Sequence, residues 1–231
     1  MQKQKYFIVL IIISTFLFSC KKEEKKYVPA GEPCVGIPDL FYINHKYNTV
    51  QIGSQCWLRE NINVGKMLLN NSLPKNNDTI EKFCYDNDDN ICTELGGLYT
   101  WEEAMAYDTL NQSVRGICPE GWHIPSDAEF FTLEHYVDSA IIDNNAYGER
   151  GIDGGLKLRR AGSSGFEVLM SGVRDEDAIY YGKGSGSSFW SSNKSYEVTA
   201  WGRYISKTTN TIGRYRYSRK LAYSVRCIKD L

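Results

Sequence analysis

Residues 116–128 read GICPEGWHIPSDA, and the fold turns on how they are read. A cysteine close to a histidine suggests a nucleophile and its base, Cys118 with His123. The neighbouring residues point to architecture instead. Trp122, His123 and Ile124 alternate as a strand does, which puts the imidazole on the face opposite two apolar anchors. Pro125 keeps the entering chain extended, and Ser126-Asp127-Ala128-Glu129 fits a capping box, in which the serine hydroxyl accepts from the Glu129 N–H and the Glu129 carboxylate accepts from the Ser126 N–H. Phe130, Leu133 and Val137 then form one apolar stripe, with Phe131 beside it, so a helix begins here. The segment reads as a strand running into a capped helix, and no catalytic residue is assigned to it.

Upstream, the chain begins with the basic MQKQK followed by the apolar run YFIVLIIISTFLF. The run is too short to span a bilayer comfortably and has the flanks of a secretory signal. Residues 1–19 are therefore expected to be a leader. Leu17-Phe18-Ser19-Cys20 resembles the lipobox of bacterial lipoproteins, which makes Cys20 the expected lipidation site. Residues 20–33, charged and containing Pro29 and Pro33, read as a solvated tether. Glu23 and Glu24 fit loosely the surface-export signals of such lipoproteins. The expectation is a bacterial outer-membrane protein held by its lipid and exposed at the surface, with one domain over 34–231.

An exported chain gives its cysteines a meaning. Six remain beyond Cys20, and an even number in an oxidising compartment reads as three disulfides, for which fifteen pairings exist. Spacing only ranks them: Cys84 and Cys92 bracket the turn-rich YDNDDNI, and Cys34 and Cys56 flank an expected hairpin, so the first-ranked set leaves Cys118 with Cys227. No C-x-x-C or His/Cys cluster at zinc spacing competes with that reading. A formal net charge of −1 argues against nucleic acid as a partner. With 16 Tyr and 5 Trp, several rings are expected at the surface.

Residues 40–61, LFYINHKYNTVQIGSQCWLREN, alternate as a hairpin with HKYN between its arms and a third strand carrying Cys56 and Trp57. Residues 65–97, rich in Asn, Asp, Lys and Gly, read as a long surface excursion. Trp101, Ala104, Met105 and Asp108 fall at helical spacing behind Thr100 as N-cap. After Val137 come Gly-punctuated segments, GGLKL, GFEVLMSGVR, SSFWSS, TAWGRYISK and GRYRYSRKLAYSVRCIKD, which carry strand and turn signals. The order gives an α+β domain with two helices and an antiparallel sheet whose first and last strands can pair.

Several of these phrases together, IGSQCWLRENINVG, GGLYTWEEAM, GICPEGWHIPSDAEF, FWSS followed by AW, and SVRCIKD, resemble the Fibrobacter succinogenes major paralogous domain, a family of mostly uncharacterised bacterial surface lipoproteins. The resemblance runs from about Val50 to Asp230. It implies a C-type lectin-like fold, with two helices, a small antiparallel sheet, long loops and both termini in one sheet. Ala222 stands where the family often has glycine. No Glu-Pro-Asn or Trp-Asn-Asp triplet is present, so calcium-mediated sugar binding does not carry over.

Chemistry-bearing constellations are few. H-E-x-x-H, G-x-S-x-G and P-loop patterns are absent, and GKGSGSS at 182–188 reads as a loop. The acidic loop YDNDDNICTE offers Asp86, Asp88 and Asp89 as hard oxygen donors for Ca²⁺, with Tyr85, Asn87 and Asn90 as ligand-binding candidates. Its spacing is not that of an EF-hand, and a solvated acidic turn reads the same way. RYRYSRK alternates Arg214 and Arg216 on one strand face with Tyr215 and Tyr217 on the other, a cationic face suited to a glycan or peptide and equally to a half-buried strand. The expected function is a non-enzymatic module for an extracellular glycan or protein, with Ca²⁺ as the one cofactor the sequence suggests. An exported enzyme of formylglycine-generating-enzyme-like fold is the alternative, although that chemistry needs a late reactive cysteine pair and only Cys227 is late. A structural envelope component is the third reading.

Overall fold

A computed structural model describes residues 31–108 and 114–230. The leader, Cys20 and most of the tether lie outside the described residues. No helix among those described is long and apolar enough to cross a membrane.

The chain forms two principal sheets. The first takes β1 (Asp39–Tyr42), β2 (His45–Ile52) and β3 (Gln55–Leu58), then β6 (Trp122–His123) and β13 (Ile228–Lys229), in the order β1-β2-β3-β13-β6. All its pairings are antiparallel. The last strand thus joins the N-terminal sheet, but beside β3; β1 lies at the sheet edge. The second sheet takes β7 (Gly148–Arg150), β8 (Ser171–Arg174), β9 (Tyr180–Lys183), β10 (Gly186–Tyr196), β11 (Thr199–Ser206) and β12 (Ile212–Ser218), in the order β7-β12-β11-β10-β8-β9. A short parallel pair, β4 (Lys66–Leu68) with β5 (Glu81–Phe83), stands apart. Four helices complete the described residues: α1 (Asp89–Leu95), α2 (Trp101–Ala104), α3 (Asp127–Val137) and α4 (Gly154–Leu158). The architecture is α+β, mostly strand.

The capping box forms as the sequence predicts, with Ser126 and Glu129 exchanging both hydrogen bonds. Phe130, Leu133 and Val137 of α3 are buried against Val50, Trp57, Phe166 and Ile205. Trp57 is completely buried, with ring centroids 5.5 Å from Phe130 and 5.4 Å from Phe166. Burying a ring of this size contributes roughly 2–3 kcal/mol. A second core gathers Tyr99, Trp101, Trp122, Trp190, Tyr223 and Val225. Arg226, 0% exposed, donates to Asn61 Oδ1 at 2.8 Å, to the Leu58 carbonyl at 3.0 Å and to the Phe166 carbonyl at 2.5 Å. Burial among these neutral acceptors pulls its guanidinium down to about 9.

The three disulfides are Cys34–Cys56, Cys84–Cys92 and Cys118–Cys227, with sequence separations of 22, 8 and 109. Glycine 116, at the head of the corner segment, has φ +54, and a Cβ there would stand 2.2 Å from the Ala104 carbonyl oxygen. Only glycine lets the corner lie so close to α2.

Several local readings differ from the structure. The hairpin turns at Ile43 and Asn44, both at positive φ, so HKYN lies inside β2. A two-residue loop of this kind needs both central residues left-handed, and the β-branched Ile43 hides that signal. GGLKL is not a strand but α4. Its glycines are there for contact: Gly155 N–H donates to the Asn210 carbonyl at 2.7 Å, and a Cβ would stand 2.2 Å from the Thr211 carbonyl oxygen. Residues 65–97 are not wholly a surface excursion, since Lys82, Phe83, Cys84 and Cys92 are buried. Beyond Ala104, Ala106 and Tyr107 take positive φ, which ends α2 before Asp108.

Candidate functional site

Cys118 carries no thiol, because its sulfur is bonded to Cys227. His123 is 12% exposed and sits between two carboxylates, its Nδ1 2.6 Å from Asp230 and its Nε2 2.9 Å from Glu129. Burial pulls the imidazolium down, but the hydrogen bonds to Glu129 and Asp230 outweigh it and hold the His123 pKa above the ordinary value. Burial likewise raises Glu129, while His123 and Ser126 bring it below the usual carboxylate range. The ring therefore ties the last strand to the N-terminus of α3.

The pH dependence follows. A raised histidine adds stability that is fully present below its unfolded pKa of about 6.5 and is lost as pH rises through the folded value; a lowered carboxylate adds stability above about 4.3 that is lost on acidification. The clamp is thus strongest between about pH 4.3 and 6.5. His123→Ala is expected to cost about 1–2 kcal/mol at pH 5.5 and to flatten the decline in stability above pH 6.5, checked by urea unfolding at several pH values. A variant with the parent's pH slope would contradict this account.

The acidic loop is built by its own contacts. Asp88 caps α1, its Oδ1 accepting from the Asn90 N–H at 2.9 Å and from the Asn90 side chain at 2.9 Å. Asp89 Oδ1 lies 3.5 Å from the buried Lys82 ammonium, and Asp86 takes a left-handed φ of 55. Among the described residues, the one group of three metal-ligand side chains whose atoms lie within 4.8 Å of one another is Cys84, Asp89 and Cys92. Its two sulfurs are bonded to each other. The trio Asp86, Asp88 and Asp89 does not converge. The Tyr85 ring lies 5.1 Å from that of Tyr180, with the Lys183 ammonium 4.9 Å away. Asn87 is exposed.

The alternating strand splits its two arginines. Asp127 and Glu134 of α3 lie over β11 and β12. Arg203 reaches both carboxylates, Arg150 bonds to Glu134, and Arg214 bonds to Asp127 at 2.6 Å. Arg214 is 3% exposed, which corrects its expected place in a ligand face. Burial pulls the Arg150 and Arg203 guanidiniums down. Arg203, faced by two carboxylates, nevertheless stays above its ordinary value, whereas Arg150, with Glu134 alone and Arg203 nearby, falls below it.

Past the end of α3 the same sheet face is open. The Arg214 guanidinium covers Trp201 at 3.6 Å, and the exposed Arg216 lies 4.8 Å from the rings of both Trp201 and Tyr196 and 5.6 Å from Tyr147. Tyr147 and Tyr196 are 60% and 61% exposed. Arg216 makes no ion pair with a carboxylate among the described residues, so its charge is held by rings alone. Tyr217 turns away and packs 4.9 Å from Tyr223, whereas Tyr215 donates to Glu149 at 3.0 Å and sets its ring 5.5 Å from that of Tyr147. Of the sequence-level ligand candidates, Arg216 is thus joined by Tyr147, Tyr196 and Trp201, which single-strand alternation could not find because they come from three other segments.

Fold and site together define a disulfide-stapled α+β domain with an exposed aromatic and cationic face. Residues 50–229 match the model of the Fibrobacter succinogenes major domain, and the chain belongs to that family. No curated protein and no solved structure matches it.

Proposed function

We propose that the protein is a non-enzymatic binding module of a bacterial cell envelope, with a C-type lectin-like fold. In this reading it is held at the outer membrane by a lipid on Cys20, is displayed at the surface, and takes an extracellular glycan on the face around Arg216. The carrying observation is that Tyr147 and Tyr196 offer exposed rings beside a guanidinium that no carboxylate pairs with among the described residues. Rings stack on the apolar faces of sugars and Arg216 donates to hydroxyls, a combination favoured at binding surfaces. Two facts support the non-enzymatic reading: all six cysteines of the described domain are bonded, and His123 is held between two carboxylates. The pairing of β3 with β13 supports the lectin-like fold.

The test is a glycan array probed with the chain from residue 21 onward. Binding is expected to fall at least tenfold, about 1.4 kcal/mol, in Tyr196→Ala with Arg216→Ala, and to be insensitive to chelators because the acidic loop does not converge on an ion. Absence of any glycan signal, or a signal that survives the double substitution, would sink the assignment.

A further inference from the structure

On another part of the surface an open cleft of about 500 Å³ lies between α1, the turn after α4 and the β9–β10 connection. Its volume is in the range of ligand sites. Half-buried Ile91, Leu95, Leu169 and Met170 make an aliphatic floor above the buried Val168, and Arg159, Arg160, Lys183 and Lys207 stand around it with Glu94 as the single carboxylate. So local a cationic excess is notable in a chain of formal net charge −1.

Two of these cations are unneutralised: among the described residues no carboxylate lies within 4.0 Å of the Lys183 or Lys207 ammonium. Arg159 donates to the carbonyls of Lys207 and Thr209, each at 2.5 Å, and to Asn210 Oδ1 at 2.8 Å. These acceptors are neutral, so its charge also persists. The walls are fixed before any ligand arrives. The Cys84–Cys92 bridge closes the loop into α1, and the Asn61 side chain donates to the Leu95 carbonyl at 2.8 Å. Backbone bonds tie Arg160 to Val168 at 3.2 Å, Gly184 to Met170 at 2.8 Å and Lys207 to Ser185 at 2.8 Å. A preorganised site loses less freedom on binding.

The lining decides the ligand class. No aromatic ring and no carboxamide lines the cleft, whereas a sugar site uses both for stacking and hydroxyl recognition. Aliphatic floor and cationic rim complement a chain in which carboxylates alternate with aliphatic side chains. We propose that this cleft binds an acidic peptide segment of a partner protein, with its carboxylates against Lys183 and Lys207 and its aliphatic side chains on Leu95, Leu169 and Met170. This site is distinct from the aromatic face and stands independently of it.

The probe is a fluorescent five-residue peptide alternating glutamate and leucine, titrated against the chain from residue 21 onward. Anisotropy should show saturable binding that weakens with salt. Lys183→Glu with Lys207→Glu, two exposed positions, should weaken it at least about tenfold with the parent's circular dichroism and melting temperature retained. Lys183→Arg with Lys207→Arg should preserve binding, Arg216→Ala should leave it unchanged, and a lysine–leucine peptide should not bind. No saturable binding, or binding indifferent to the charge reversal, overturns the proposal. So does tighter binding of a uronic-acid oligosaccharide that is lost in the charge-reversed chain, which would make the cleft a glycan site.

Discussion

A chain carrying both Cys118→Ala and Cys227→Ala will unfold about 5 kcal/mol more easily than the parent, with the other two disulfides intact. The bridge closes a loop with a sequence separation of 109, and the entropy removed from the unfolded chain grows with the logarithm of that length. The same relation gives about 3 kcal/mol for Cys34–Cys56 and about 2.5 kcal/mol for Cys84–Cys92, so the three deletions should rank in that order. For a domain of this size, 5 kcal/mol lowers the melting temperature by about 10–20 °C. The long bridge also fastens the entry to β6 and α3 to the end of the strand that β3 pairs with. A loss below about 1 kcal/mol on urea unfolding would show that the corner is held by its hydrogen bonds and core, with the bridge incidental.

Glu134→Leu is expected to destabilise by about 3–5 kcal/mol, because breaking a buried ion pair leaves charge without compensation. Glu134 is 1% exposed and takes hydrogen bonds from Arg150 and Arg203. Removing it leaves Arg150 with no carboxylate, only the long bonds to the Asp143, Asn144 and Ala146 carbonyls, and leaves Arg203 on Asp127 alone. Adding Arg150→Met should recover part of the loss, since a buried pair replaced by apolar side chains of similar volume is often tolerated. The diagnostic quantity is the coupling in the double-mutant cycle. If the double variant is as unstable as the sum of the two single ones, the two side chains do not act as a pair.

The readings that succeeded share a short range. Ser126 and Glu129 are three residues apart, and their exchange of hydrogen bonds depends on little else. The disulfides were legible because Cys84–Cys92 and Cys34–Cys56 lie across local turns, which left one pairing. The readings that failed needed a distant segment. Gly154 and Gly155 resemble helix breakers until the Ile212 and Asp138 side chains press on the first and the 210–211 backbone on the second. Arg214 and Arg216 are equivalent on their strand until α3 covers one and leaves the other. Arg203 meets Glu134 across 69 residues and Asp127 across 76, separations that carry no periodic signal.

The phrases that carry the family likeness proved to be the interior. Trp57, Leu58, Asn61 and Ile62, then Tyr99, Trp101 and Met105, then Phe189 and Trp190, then Val225, Arg226 and Cys227 are all buried. They specify a scaffold and are nearly silent about ligands. Arg216, Tyr147, Tyr196, Lys183 and Lys207 lie outside those phrases, and only Trp201 belongs to both. By itself the sequence determined the capped corner and the family and ranked first the disulfide pairing that forms, because caps, turns and core motifs are set by residue type at short spacing. Tertiary structure alone decided which arginine meets solvent and which lysines surround a cleft, because exposure depends on what the rest of the chain lays over each side chain.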